Sequence, residues 1–170
     1  SDDLLHWEEG HLLMRPEFAW QFVQIGNCGS PVEIDEGWLL FTHGVGPMRR
    51  YAIGVTLLDK HDPSIILSRT VEPLLQPEPT EREGYVPNVV YSCGAMRHGD
   101  LIALPYAVSD TYSNFTTIKI SRLLETMRPI GAWRYARRCG CSNRAGYSLR
   151  GAIGTTLPRV PCACAIKCVR

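Results

Sequence analysis

The stretch from Gln24 to Tyr51 restricts the fold of this chain more than any other. It reads QIGNCGSPVEIDEGWLLFTHGVGPMRRY. Val32–Ile34 and Trp38–Thr42 flank Asp35-Glu36-Gly37, a hairpin signal in which glycine supplies the left-handed position. The second of these strands ends abruptly in His43-Gly44-Val45-Gly46-Pro47, and the next opens at Arg49-Arg50-Tyr51 and runs on as AIGVTLLD. A histidine and an Arg/Tyr cluster therefore face each other across one β-connection. Glycine there lets the backbone approach a ligand or take positive φ without a Cβ clash. His, Arg and Tyr all donate hydrogen bonds, so the set suits an oxyanion or a network of sugar hydroxyls. A strand-ending His-Gly is also an ordinary turn, and paired arginines are often merely solvated, so spacing alone leaves the function open.

The rest of the first 127 residues reads as further β-structure. Phe18–Gln24 (FAWQFVQ) alternates aromatic and polar residues, as a half-buried strand does. Gly26 to Pro31 is a turn cluster, Tyr51–Leu58 a strand, Asp59–Pro63 a polar turn and Ile65–Ser68 the next strand; together they predict one antiparallel unit. Pro73 to Pro87 holds four of the twelve prolines and reads as a crossing loop. Asn88–Ser92, Leu101–Tyr106 and Thr116–Ile120 predict a second unit, with His98-Gly99-Asp100 as a hairpin turn. Ser121–Met127 (SRLLETM) is the one short helix expected.

Charge divides the chain in two. Residues 1–127 hold 9 Lys+Arg against 17 Asp+Glu, whereas residues 128–170 hold 9 Lys+Arg and no acid, and the net charge of +1 conceals the split. Five of the seven cysteines (Cys139, Cys141, Cys162, Cys164 and Cys168) fall in that basic tail, which lacks apolar periodicity. Zinc binding by the cysteines and nucleic-acid binding by the arginines, with Trp133 and Tyr135, are weighed for it. The tail is not a common zinc spacing and has no histidine, and the favoured reading is an unpatterned, frameshift-derived or disordered segment with no nucleic-acid partner. Cys28 and Cys93, each followed by Gly, are expected to be small buried residues rather than a disulfide framework. No apolar run reaches 18 residues and no basic region precedes an apolar one at the start, so neither a membrane span nor a signal peptide is expected, and the expectation is a cytoplasmic protein.

Four segments in order carry a resemblance: SDDLLHW, then IGNCGSPVEIDEGWLLFTHGVGPMRRYAIGVTLLD, then EREGYVPNVVYSCGAMRHGD, then PYAVSDTYSNFTTIKISRLLE. Over roughly Ser1 to Met127 the chain resembles glycoside hydrolase family 130, mostly phosphorylases of β-mannosides. The resemblance implies a five-bladed β-propeller, of which this all-β chain would supply about two blades from the C-terminal half, followed by a short helix and the atypical tail 128–170. It implies inverting phosphorolysis of a β-mannoside oligosaccharide, with inorganic phosphate as co-substrate and no other cofactor. The general acid aspartate is expected in the N-terminal half, so that the chain alone would be inactive. Two or so blades leave open sheet edges, which invite pairing with another chain or copy.

By the same resemblance His43 and Tyr51 match phosphate-contacting positions and Asp110 a sugar-contacting one. Arg49 or Arg50 would add a bidentate phosphate contact, which guanidinium makes better than ammonium. Gln24 stands where many phosphorylases of the family have a phosphate-binding lysine; an amide hydrogen-bonds but does not neutralise charge. The alternative reading is an inverting hydrolase, whose base and acid carboxyls stand about 6.5–9.5 Å apart. Glu83 and Asp110 are the loop carboxylates available to it, and a solvated loop charge is the plain reading of Glu83. A third reading is a non-catalytic carbohydrate-binding β-domain using Trp7, Trp20, Trp38 and Tyr85, most of which are more simply core aromatics.

Overall fold

Where the aromatic and polar residues of Phe18–Gln24 alternate, the chain does not form a strand. In the computed structural model, which describes residues 3, 5, 6, 10–79 and 84–130, Ala19–Gln21 is a turn of 3-10 helix, and the first strand, β1, is Gln24–Asn27. Tertiary packing overrides the local pattern. Trp20 lies flat across two glycines of the sheet, and Gln21 is drawn inward to accept from Arg69 at 3.3 Å.

The first sheet grows from the predicted hairpin. β2 (Val32–Ile34) pairs with β3 (Gly37–Val45), and Gly37, at φ 147°, turns the chain between them. A Cβ on Gly37 would stand 2.1 Å from the Leu58 carbonyl oxygen, so only glycine fits there. β3 also pairs with β1 and with β4 (Tyr51–Leu58), and β4 pairs with β5 (Ile66–Thr70). The second sheet comprises β6 (Val90–Tyr91), β7 (Met96–His98), β8 (Leu101–Val108) and β9 (Tyr112–Lys119), with β8 central. β7 had no sequence expectation: it is three exposed residues joined to β8 through Gly99, at φ 60°. Over residues 73–78 and 84–87 of the proline-rich crossing no helix or strand forms, although Leu75 bridges Ile53.

The helix α1 is Ile120–Thr126, and Met127 already belongs to β10 (Met127–Pro129), which returns to the first sheet beside β5. β10 thus runs past the boundary drawn after Met127. Ile120 and Leu123, one turn apart, put the apolar side of α1 into the core. The architecture is mostly β-sheet with one short helix, and both sheets are open among the described residues. The expectations for the tail, Gly131 onward, lie outside those residues, as do Trp7 and Glu83.

The core joins the two sheets. Ile34, Leu39, Phe41, Ile53, Val55 and Leu57 of the first cluster with Val90, Ile102, Leu104 and Val108 of the second and with Leu123. Each such side chain contributes about 1.5–3 kcal/mol on burial. Strand register decides which residues share this face. Phe41 stands opposite Val55, His43 opposite Ile53 and Gly26, and Val45 opposite Tyr51 and Gln24. Opposed residues lie on one face of a sheet, so His43, Tyr51 and Gln24 share the core-side face. Thr42, Gly44, Ala52 and Gly54 lie on the other, beneath Trp20.

Candidate functional site

His43 is buried toward the end of β3, where an apolar strand delivers it to the edge of the core. Its ring is held on three sides. Tyr51, across the β3–β4 pair, stacks on it with centroids 5.9 Å apart and planes at 17°. Tyr91 of β6 meets it from the second sheet at 5.1 Å, tilted by 49°. Gly26 lies against its edge: a Cβ there would come within 2.4 Å of Cε1 and 2.7 Å of Nε2. The cysteine thiol of Cys28 approaches Nδ1 at 3.9 Å.

Electrostatics follow from that enclosure. Burial disfavours imidazolium and lowers the His43 pKa below 6.5, partly offset by the Asn27 backbone, so the ring is neutral at pH 7. Neutral imidazole donates one N–H and accepts at the other nitrogen. Burial also pushes the Cys28 thiol up to about 11, against a hydrogen bond from the Ser92 backbone, and raises the Tyr91 phenol. Cys28 is buried as expected; Cys93 is not. It stands exposed at the turn after Tyr91, where Gly29 packs on its carbonyl, so that expectation is corrected.

Two further predicted residues relate to this ring through the backbone. Gln24 is exposed at the start of β1, on the His43 face and opposite Val45. Asp110 is exposed at the β8–β9 turn, with φ 51° at both Ser109 and Asp110. Backbone bonds connect that turn to the site: Ser109 N–H donates to Val89 at 2.8 Å, and Tyr51 N–H donates to Asn88 at 3.0 Å. The end of the crossing loop closes over the same turn, with Val86 N–H donating to Ser109 at 3.0 Å.

The two arginines part company. Met48 and Arg49, at φ 57° and 54°, make a tight left-handed turn that leaves Arg49 exposed. Arg50 turns the other way and donates to the Pro77 carbonyl at 3.2 Å, while its Nε–H is buried without a partner among the described residues. It lines a cleft of about 370 Å³ together with Trp20, Pro47, Met48, Gln76 and Asn88. Trp20 and Ala52 lie on the sheet face opposite His43, so Arg50 and His43 are not brought together.

Gly44 answers to that opposite face as well. It has no positive φ, and its missing side chain makes room for protein rather than ligand, because a Cβ would stand 2.4 Å from Trp20 Cε3. Trp20 donates its indole N–H to Val71 at 2.8 Å, and Trp38 donates to Lys60 at 3.2 Å, so both indoles are engaged with backbone; Tyr85 is exposed. Sequence reasoning missed Tyr91 and Gly26 as neighbours of His43. For Gly26 the register of the β1–β3 pair was the missing information. For Tyr91 it was the docking of one sheet on the other. Among the described residues no three His, Cys, Asp or Glu side chains gather as a metal site requires, and no helix is long and apolar enough to cross a membrane.

Residues 1–129 match the family model described as beta-1,4-mannooligosaccharide phosphorylase, the model of glycoside hydrolase family 130. A 1,2-beta-oligomannan phosphorylase of Thermoanaerobacter sp. (strain X514) is 39% identical over 113 residues, covering 65% of this chain and 38% of the relative. A beta-1,2-mannobiose phosphorylase of Listeria innocua is 38% identical over 118 residues, 69% of this chain and 33% of the relative. The solved structure of a beta-1,2-mannobiose phosphorylase from Listeria innocua with beta-1,2-mannobiose superposes with a TM-score of 0.61 at 37% identity, over 66% of this chain and 32% of that one. A glycosyl hydrolase from Bacteroides ovatus shares the fold, with a TM-score of 0.54 at 20% identity over 68% of this chain and 33% of that one. The chain thus spans well under half the length of these relatives.

Proposed function

Since this chain belongs to glycoside hydrolase family 130, we propose that it carries the phosphate-facing part of a β-mannoside phosphorylase. Its two sheets are taken as about two blades of a five-bladed propeller, with residues 1–127 as the enzyme-derived part and 128–170 as an atypical tail. The reading takes the cytoplasm as the protein's setting.

The observation that carries the proposal is the pairing of a buried, neutral His43 with a stacked Tyr51 at one end of the β3–β4 pair. In inverting phosphorolysis a phosphate oxygen forms the new bond to the anomeric carbon while the glycosidic C–O bond breaks. The leaving sugar oxygen takes a proton from a general acid. That acid is an aspartate in the part of the family domain this chain does not include. Phosphate is itself the nucleophile, so the protein's task at that face is to position it and stabilise its charge. His43 and Tyr51 supply fixed N–H and O–H donors for this. Arg49, exposed at the adjoining turn, is a cation that would reach the same anion. Arg50, engaged with Pro77, braces the connection instead. Asp110 and Gln24 serve sugar hydroxyls. Names of the relatives support the substrate class: mannobiose, mannooligosaccharide and oligomannan phosphorylases.

Gln24 keeps a second reading alive, because a neutral amide in place of lysine weakens phosphate capture and would suit a hydrolase of the same fold. Calorimetric titration of the chain with inorganic phosphate tests the first reading. Saturable heat, lost in His43→Ala, is expected. No saturable heat in the parent chain refutes it.

A further inference from the structure

The phosphate reading uses two of the three aromatic rings that converge at the end of β3. The third, Tyr91, has no assigned task. It stands on β6, the short strand that brings the second sheet up to the first, and its ring meets His43 more closely than Tyr51 does, 5.1 Å against 5.9 Å. Tyr91 is half-buried, and its hydroxyl makes no hydrogen bond to the protein among the described residues. A half-buried tyrosine normally finds an acceptor for its O–H. A phenol held in place by its ring with its donor uncommitted is arranged to bind something else.

The groups around it identify what that is. The ionisable side chains whose charges act on the Tyr91 phenol are Cys28, Cys93 and Tyr51. His43, in ring contact, is neutral. Among the described residues no carboxylate acts on it. These described neighbours therefore offer O–H, S–H and N–H donors, and none of them carries a fixed negative charge that would repel an anion. Burial raises the phenol's pKa, which keeps the proton on oxygen where it is needed for donation.

We propose that Tyr91 is a further ligand-contacting residue of this site, donating its hydroxyl to the same phosphate oxyanion that His43 and Tyr51 hold. The inference rests on the phosphate reading of His43. It adds that the anion is bound between the two sheets rather than on the first sheet alone. Because Tyr91 belongs to β6, phosphate binding would then also tie the second sheet to the first.

The test is Tyr91→Phe, which removes the hydroxyl and keeps the ring against His43. Inorganic phosphate is titrated calorimetrically into the full chain and into Y91F, His43→Ala and Tyr51→Phe. The His43 ring resonances of the parent and Y91F are recorded without phosphate. The expected result is a Kd raised about tenfold or more in Y91F, the effect of one hydrogen bond to a charged acceptor, with the phosphate-free His43 resonances unchanged. Phosphate binding by Y91F equal to the parent, while His43→Ala abolishes it, overturns this inference and leaves the phosphate reading standing. Altered His43 resonances in phosphate-free Y91F also overturn it, because the hydroxyl would then act through the histidine. Absence of saturable binding in the parent overturns both.

Discussion

Replacing Gly44 by Ala separates a structural role for this glycine from a ligand-binding one. The added methyl would stand 2.4 and 2.5 Å from Trp20 Cε3 and Cζ3 and 2.8 Å from Gln21 Cγ. Trp20 has little freedom to retreat, because its indole N–H is bonded to Val71 at 2.8 Å and its far edge already lies on Gly54. Gln21 is fixed by Arg69. Overpacking of this kind costs about 1–3 kcal/mol. At a urea m-value of about 2 kcal/mol/M, the midpoint should fall by about 0.5–1.5 M with m unchanged. Equilibrium urea unfolding followed by tryptophan fluorescence and far-UV circular dichroism measures this. Pairing G44A with Trp20→Leu should cost less than the two single changes added together, since the clash is shared between them. A G44A chain as stable as the parent, or single effects that simply add, would refute the cradle and return Gly44 to the ligand.

Arg69→Ala should be strongly destabilising, by about 3–5 kcal/mol in thermal or urea unfolding. The guanidinium is 3% exposed, bonds Glu17 at 2.9 Å and lies 5.0 Å from the Phe18 ring centre, so its loss removes that ion pair and empties a packed site. The lowered pKa of His43 makes the unfolded chain bind more protons than the folded one once pH drops through about 6.5. Stability should therefore decline as pH falls from about 6.5 toward the folded pKa, and His43→Gln should flatten that slope in urea midpoints measured across the range. Among the described cysteines, Cys93 should be alkylated readily at neutral pH and Cys28 should resist until the chain unfolds, as peptide mapping after iodoacetamide would show; the Cys28 thiol at about 11 is both buried and protonated. Comparable labelling of both in the native chain would contradict the packing of Cys28 against His43.

What the sequence made legible follows from the range over which each signal acts. The Asp35-Glu36-Gly37 hairpin and the strand Tyr51–Leu58 were readable because turn chemistry and apolar runs are local. Helix α1 was found within one residue, since its apolar pair at i, i+3 is also local. Phe18–Gln24 was misread because its alternation has the period of a strand, while Trp20 is claimed by glycines more than twenty residues away. Arg49-Arg50-Tyr51 looked like one cluster. In an extended chain, however, consecutive residues point to opposite faces, and Tyr51 goes to His43 while Arg50 goes to the Trp20 cleft. The resemblance selected His43 and Tyr51, and register explains their meeting. Tyr91 was invisible because sheet-on-sheet packing has no signature in a single sequence.

A chimera tests the central claim most directly. Residues 1–129 would replace the corresponding third of the Listeria innocua beta-1,2-mannobiose phosphorylase they superpose on, and initial rates on beta-1,2-mannobiose would be measured with and without phosphate. The account predicts a rate that rises with phosphate to saturation and yields α-mannose 1-phosphate, with His43→Ala raising the KM for phosphate far more than that for the mannoside. A rate indifferent to phosphate, with mannose as the product, would contradict it.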